Sequence, residues 1–234
     1  MLNLQSLHHP VLRRKKLPLR STITNFSLFV VLLIGLMGCS SQPQQPTEPL
    51  AKISWEQRQQ QLLPLTRWQV LGKINIRTPQ ENNTASLNWS QFDDRYRIYM
   101  AGPLGQGAVN ISGSEQHGII LDISGEDRRQ AASPEQLLNQ RLGWSIPVSQ
   151  MPYWIRGLPA PNRLHAKTLD PFNRLQQLQQ NGWTIDYLSY QQQQQQQHLP
   201  RKIQLQRGAE MKLTLILKEW QFSSTTNPAQ LTPL

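Results

Sequence analysis

The sequence predicts a mainly β domain, laid out as one antiparallel series of about ten strands with two or three short helices. Apolar and polar residues alternate in runs from Trp68 to Ile123 and again from Trp183 to Leu217, while the Gln-rich Leu175–Gln180 could be read as helix and is decided for strand by the Asn181-Gly182 turn after it. The connections between these runs are short and rich in Gly, Asn and Asp, as antiparallel neighbours need. Helical signals are confined to two brief capped stretches and a shorter third.

Taken in order, Ser54 with Gln57 forms a capping box ahead of Trp55, Leu62 and Leu63, and Pro64 stops that helix. Trp68, Val70, Gly72, Ile74 and Ile76 then share one face, opposite Gln69, Lys73, Asn75 and Arg77, with Leu71 as the exception. Ala85, Leu87 and Trp89 repeat the pattern. Asp93-Asp94 turns the chain into Tyr96, Ile98 and Met100. Val109 and Ile111 follow a glycine-rich turn, and Ile119, Leu121 and Ile123 continue the series. Ser133 as N-cap, Pro134 at the first helical position, Gln136 and the stop at Gly143 delimit a helix carrying Leu137, Leu138 and Leu142. A shorter helix fits between Ser149 and Gly157, with Met151, Trp154 and Ile155 as its apolar side. Asn181-Gly182 is a hairpin turn between Leu175–Gln180 and Trp183, Ile185 and Tyr187. Ile203 and Leu205 pair with Leu213, Leu215 and Leu217 around Gly208, and no pattern follows Trp220. The seven glutamines Gln191 to Gln197 read as a tolerated expansion in a hairpin loop.

The N-terminus is an export signal. Arg13, Arg14, Lys15, Lys16 and Arg20 precede the apolar run Phe26 to Met37, which has 12 residues. A spanning helix needs about 20, so the run suits a cleaved leader. Leu36-Met37-Gly38-Cys39 holds the only cysteine of the 234 residues and resembles the bacterial lipobox. That resemblance implies cleavage before Cys39 and lipidation of its sulfur and amine. Ser40 stands where an aspartate would resemble an inner-membrane retention signal, so the outer membrane is the expected destination. Residues 39–53, rich in Ser, Gln and Pro, form a flexible tether; residues 54–222 form the domain and 223–234 an unstructured tail.

Composition excludes several functions. Five of the 24 basic residues and none of the 14 acidic ones lie in residues 1–38, so the formal charge falls from +10 to +5 on cleavage. No Lys/Arg block remains to bind nucleic acid. His117, His165 and His198 lack metal-ligand spacing, and no Gly-x-Ser-x-Gly elbow is present. Asp93-Asp94 and Glu126-Asp127 sit at turns, not as an acid/base pair. Gly102-Pro103-Leu104-Gly105-Gln106-Gly107 lacks the Lys-Ser/Thr and the following helix of a phosphate loop. No catalytic residue, metal or cofactor is assigned. In the glycine-rich turn Leu104 either projects outward or folds back, and the turn alone leaves both open.

A one-sidedly apolar sheet must be covered by a second sheet, by closure, or by its helices. Helices too small to fill a curved sheet would leave a cavity. At this point the motifs converge on a known pattern. Trp68-x-x-x-Gly72-Lys73-Ile74, Leu87-x-Trp89, Gly102-Pro103-Leu104-Gly105, Leu142-Gly143-Trp144-x-x-Pro147-Val148, Tyr153-Trp154-Ile155-Arg156-Gly157-x-Pro159-Ala160-Pro161 and Gln180-x-Gly182-Trp183-x-Ile185-x-Tyr187 together resemble the LolB family of outer-membrane lipoprotein receptors. The resemblance runs from about Trp68 to Trp220.

It implies an unclosed antiparallel β-barrel of ten or eleven strands, with short helices lidding an apolar cavity. It further implies a lipid-anchored, periplasm-facing monomer of the outer membrane. Such a protein accepts acylated lipoproteins from a soluble periplasmic carrier of LolA type and places them in outer-membrane lipid, without enzymatic activity. On periodicity alone Ile74, Ile76, Leu87, Trp89, Ile98, Met100, Val109, Ile111, Ile119, Leu121, Ile203, Leu205, Leu213 and Leu215 read as plain core. The resemblance makes them cavity lining, with Met151 and Trp154 from the lid, and makes Pro103, Leu104 and Gly105 a membrane-contact loop. The alternatives are a lipid-binding envelope sensor or scaffold without transfer activity, and a lipid-modifying enzyme with a polar group in the cavity.

Overall fold

The computed structural model describes residues 52–114, 118–193 and 197–222. The leader, Cys39, most of the tether, His117, the middle of the glutamine run and the tail from residue 223 lie outside them. The chain enters through helix α1 (Trp55–Leu62), where the Ser54 hydroxyl accepts from the Gln57 N–H at 3.1 Å and Gln57 Oε1 accepts from the Ser54 N–H at 2.9 Å. Six strands follow: β1 (Arg67–Arg77), β2 (Asn82–Phe92), β3 (Arg95–Ala101), β4 (Val109–Ser114), β5 (Gly118–Ile123) and β6 (Arg129–Ala131). Helix α2 (Pro134–Leu142) and the single turn α3 (Met151–Trp154) interrupt the series, and β7 (His165–Leu169), β8 (Leu175–Gln180), β9 (Trp183–Gln192), β10 (His198–Arg207) and β11 (Met211–Phe222) complete it.

All eleven strands form one antiparallel sheet in the order β6-β5-β4-β3-β2-β1-β11-β10-β9-β8-β7. The first half of the domain runs outward from β1 and the second half runs outward from β11. β6 and β7 are free edges, so the barrel is unclosed.

Two strands were invisible in the sequence pattern. β6 and β7 are edge strands whose residues are exposed or half-buried, so neither has a buried face to impose alternation. The seam between the halves explains the anomaly at Leu71. Leu71 pairs with Glu219 while Gly72 pairs with Leu217, leaving Lys218 as a bulge in β11. The backbone of β11 passes so close there that a Cβ on Gly72 would lie 2.1 Å from the Ile216 carbonyl oxygen, which admits only glycine. The bulge also shifts the alternation of β11. Met211, Leu213, Leu215 and Leu217 face the core, and after the extra residue Trp220 does so too.

Trp220 thereby joins an aromatic cluster with Trp68, at a centroid distance of 5.3 Å, and Trp68 lies 5.5 Å from Trp89. At the β8–β9 turn, Asn181 and Gly182 both take positive φ, 51° and 76°, as a two-residue hairpin of this hand requires. Every buried apolar side chain of the described residues lies between Trp55 and Trp220. A chain starting at residue 40 therefore carries this whole core and folds without the leader.

Candidate functional site

The concave face of the sheet is apolar and is covered by α2 and the irregular segment 143–161. This lid contributes Leu137, Leu138, Ile146, Val148, Met151, Trp154, Ile155 and Leu158, all buried. α2 is placed by its ends. The Ser133 hydroxyl accepts from the Gln136 N–H at 3.3 Å, and Gly143 closes the helix with φ at 68°.

Between lid and sheet lies a cavity lined by Ile74, Leu87, Trp89, Ile98, Met100, Ile111 and Leu215 below and by Leu138, Ile146, Val148 and Met151 above. Of the sixteen residues expected to line a cavity, eight surround this one. Ile119 lines a neighbouring cleft. Ile76, Val109, Leu121, Trp154, Ile203, Leu205 and Leu213 are packed in the core and reach neither. Leu138, Ile146 and Val148 were not expected as cavity lining; Leu138 read only as helix core, and Ile146 and Val148 flank Pro147 in a stretch without periodicity. The cavity measures about 20 Å³. That is room for about one water molecule, so with the lid in this position an acyl chain does not fit.

The lid is fastened unevenly. At its C-terminal part, the buried Gln180 side chain accepts from Trp154 Nε1–H and from the Ala160 N–H, both at 2.8 Å, and donates to the Ala160 carbonyl at 2.9 Å. Tyr187 donates its hydroxyl proton to the Trp154 carbonyl at 3.0 Å. Arg156 donates to the carbonyls of Pro152 (2.7 Å), Leu62 (3.1 Å) and Leu65 (2.6 Å), which clamps the end of α1 onto the lid. Burial pushes the Arg156 guanidinium down to about 10. The preceding part is tied mainly to itself. Glu135 accepts from the Ser133 hydroxyl at 3.1 Å and from the Ser149 N–H at 2.9 Å, and Asn139 donates to the Ser145 hydroxyl at 2.9 Å. Among the described residues its one ion pair to the sheet, Arg141 with Glu126 of the β5–β6 turn, is surface-exposed and weak. Residues 134–149 are thus a cohesive unit resting on the sheet through apolar contacts.

Beside it opens a cleft of about 570 Å³ where β1, β2 and β3 meet the start of α2. Trp68, Gln91, Tyr96, Ile119, Ser133, Glu135, Pro152 and Arg156 line it, and Val148 is shared with the inner cavity. Asp93 stands at its margin in a positive-φ turn, accepting from Thr66 at 2.8 Å and paired with Arg67 at 2.8 Å. The Arg67 guanidinium holds the Asp93 carboxyl below the usual carboxylate range.

Leu104 projects into solvent, 99 % exposed, from a single 3₁₀ turn (Pro103–Gly105) between β3 and β4. Its backbone is left-handed, with φ at 57° and ψ at 23°, a conformation costing a leucine about 1 kcal/mol or more. The turn is held by the Gly102 N–H donating to Gln106 O at 2.9 Å and the Gly105 N–H to Gly102 O at 3.1 Å. Leu164, 98 % exposed, had no sequence signal. Strand directions put both leucines at one end of the sheet. β3 runs from the end where β1 begins to the end where β1 finishes, and β7 starts opposite Gln180 at that same far end.

Among the described residues no group of three or more His, Cys, Asp or Glu is placed to hold a metal ion. No helix among them is long and apolar enough to cross a membrane.

The profile of the family described as "Outer membrane lipoprotein LolB" matches residues 66–220. The chain is 40% identical over 211 residues to the outer-membrane lipoprotein LolB of Pseudomonas putida strain W619, covering 87% of this chain and 96% of that one. It is 40% identical over 198 residues to the protein of the same description from Pseudomonas syringae pv. syringae strain B728a, covering 84% and 93%. Among solved structures, a LolA superfamily protein from Nitrosomonas europaea superposes with a TM-score of 0.51 at 8% identity, covering 76% of this chain and 97% of that one. At that identity the likeness speaks for the fold alone, an open antiparallel half-barrel. Matched over the strands, the lid and the aromatic seam, the chain belongs to the LolB family of outer-membrane lipoproteins.

Proposed function

We propose that this outer-membrane lipoprotein of lipoprotein localisation receives acylated lipoproteins from a soluble periplasmic carrier of LolA type and inserts them into the inner leaflet of the outer membrane. The observation that carries the proposal is the apolar face sealed by a lid whose residues 134–149 are held to the sheet mainly by apolar packing. Lifting that unit opens a surface on which acyl chains replace the lid side chains, apolar contact for apolar contact, so neither loading nor release needs an external energy source. Met151, with its adaptable side chain, sits where the moving unit meets the fastened part.

Residues 1–38 serve as the signal peptide and Cys39 as the lipidated N-terminus. Fourteen residues, 40–53, separate Cys39 from Ser54, and the segment reaches about 50 Å when extended. The eleven residues of β1 span about 36 Å. The tether is therefore long enough for the far end of the barrel, with Leu104 and Leu164, to rest on the membrane that holds Cys39. Pro103, Leu104 and Gly105 form the contact loop. Both fully exposed leucines lying at one end favours that end as the lipid-facing one.

The test is to mix protein of residues 40–234 with a carrier loaded with a lipoprotein and to follow the cargo. It should change hands to near completion; cargo that stays on the carrier overturns the receptor reading and leaves the sensor or scaffold alternative. The anchor is tested separately. Radiolabelled palmitate should enter the wild-type chain in cells and be absent from Cys39→Ser, and equal labelling of both would remove Cys39 as the lipidated residue.

A further inference from the structure

The 570 Å³ cleft beside the lid has the size of a ligand site and a polar lining that the acyl-chain reading leaves unused. Two of its lining residues carry buried donors without a partner, the Trp68 indole N–H and the Tyr96 hydroxyl. Trp68 is only 1 % exposed, so its N–H is shut off from water as well. An unpartnered buried donor is costly, and two in one cleft call for an acceptor. Arg156 adds a third donor group, since its bonds to the carbonyls run through Nε and Nη1 and none through Nη2. The remaining charges around the cleft are the carboxylates of Asp93, Asp94 and Glu135. Arg67 compensates Asp93, and Asp94 and Glu135 still outnumber the single lining cation and disfavour an anionic group. The start of α2 borders the same space through Ser133, Pro134 and Glu135. Val148 lines both spaces and forms the wall between the cleft and the cavity under the lid.

We infer that the cleft, once the lid unit lifts and uncovers its buried donors, is a subsite for the uncharged, carbonyl-rich head of an acylated cysteine, whose ester and amide oxygens accept from Tyr96, Trp68 and Arg156 while its chains pass Val148 into the opened cavity. The inference rests on the acyl-chain reading of the inner cavity and adds a selectivity to it. A triacylated cysteine presents several neutral acceptors at this point, whereas a phospholipid presents a phosphate to the carboxylates of Asp94 and Glu135. The cleft therefore sorts lipoprotein from bulk lipid before the chains are committed.

The experiment uses residues 40–234 with two probes, an uncharged triacyl-cysteine amide and a fluorescent hydrocarbon of acyl length without a polar head. Tyr96→Phe removes one hydroxyl and no volume, and its melting temperature should be no lower than that of the wild type, because a buried unpartnered group is lost. It should bind the triacyl-cysteine amide about 3- to 10-fold more weakly, the loss of one hydrogen bond, and the hydrocarbon equally well. Wild-type protein should also prefer the triacyl-cysteine amide over phosphatidylglycerol, and Asp94→Asn should narrow that preference. Unchanged affinity of Tyr96→Phe for the triacyl-cysteine amide, with the hydrocarbon still bound, overturns the subsite alone. Failure of the wild type to bind even the hydrocarbon overturns the acyl-chain reading, and the subsite with it.

Discussion

Leu104→Glu is expected to accept cargo from a carrier at the wild-type rate and to fail in passing it to liposomes. The side chain is 99 % exposed and belongs to neither the cavity nor the cleft, so uptake has no reason to change. Stability should hold within about 2 °C, as for an exposed position outside any packed contact. Delivery is different. Burying one leucine in the acyl boundary gains about 1.5–3 kcal/mol, and a carboxylate both forfeits that gain and resists entry into lipid. Together these reduce delivery more than tenfold, and Leu104→Ala should fall between the two. Cargo partitioning between soluble and liposome fractions, with carrier-to-receptor transfer measured in parallel, reads the two steps apart. Loss of both steps would make Leu104 a docking or packing residue, and normal delivery by Leu104→Glu would falsify the membrane-contact role.

The backbone at Leu104 supports that separation of roles. A leucine held left-handed by a turn of glycines and a proline, with nothing packed on it, lowers the stability of the fold without any return in contacts. Its orientation could not be read from the turn residues alone, because a Gly/Pro turn accepts an outward or an inward side chain equally. The family motif decided it in the sequence, and an exposure of 99 % decides it in the structure. Leu164 was out of reach of sequence reasoning. It lies between Pro161 and an edge strand whose side chains face solvent, so no periodic pattern marks which way it points.

The same physical distinction runs through the fold. Strands buried on one face, from β1 to β5 and from β9 to β11, announced themselves through period two, and the turn at Asn181-Gly182 settled β8, a glutamine-rich stretch that could have been helix. The edges β6 and β7 exist because neighbouring backbones need hydrogen bonds, which leaves no trace in side-chain polarity. The bulge at Lys218 surfaced only as the misfit at Leu71 and as a pattern that ended too early at Trp220. The fastening of the lid by Gln180 and Arg156 was illegible for another reason. Gln180 looks like one more glutamine of a polar strand, and Arg156 like a surface cation; only the tertiary arrangement buries both against carbonyls and indole N–H groups.

Ile98→Glu should abolish hydrocarbon uptake and lower the melting temperature at pH 8 by about 10 °C or more while the sheet persists in circular dichroism. Ile98 is buried in the middle of the sheet, paired with Trp89 and Ile111, and faces the lid across the cavity. No basic side chain lines that cavity, so an introduced carboxylate has no partner there. The least costly response is for the lid unit to lift and admit water, which removes the apolar site without dissolving the strands. Acid should partly repair the damage, and the sign follows from linkage. Burial raises the folded-state pKa of the new carboxyl above its unfolded value of about 4.3. The folded chain then holds a proton at pH values where the unfolded chain has lost it, so the destabilisation grows as pH rises through the raised pKa and fades below about 4.3. The gap in melting temperature between variant and wild type should therefore narrow from pH 8 to pH 5, whereas for Ile98→Gln, polar but not titrating, it should stay constant. A gap independent of pH, or hydrocarbon uptake equal to the wild type, would place Ile98 away from a dry cavity and remove the lid-gated site.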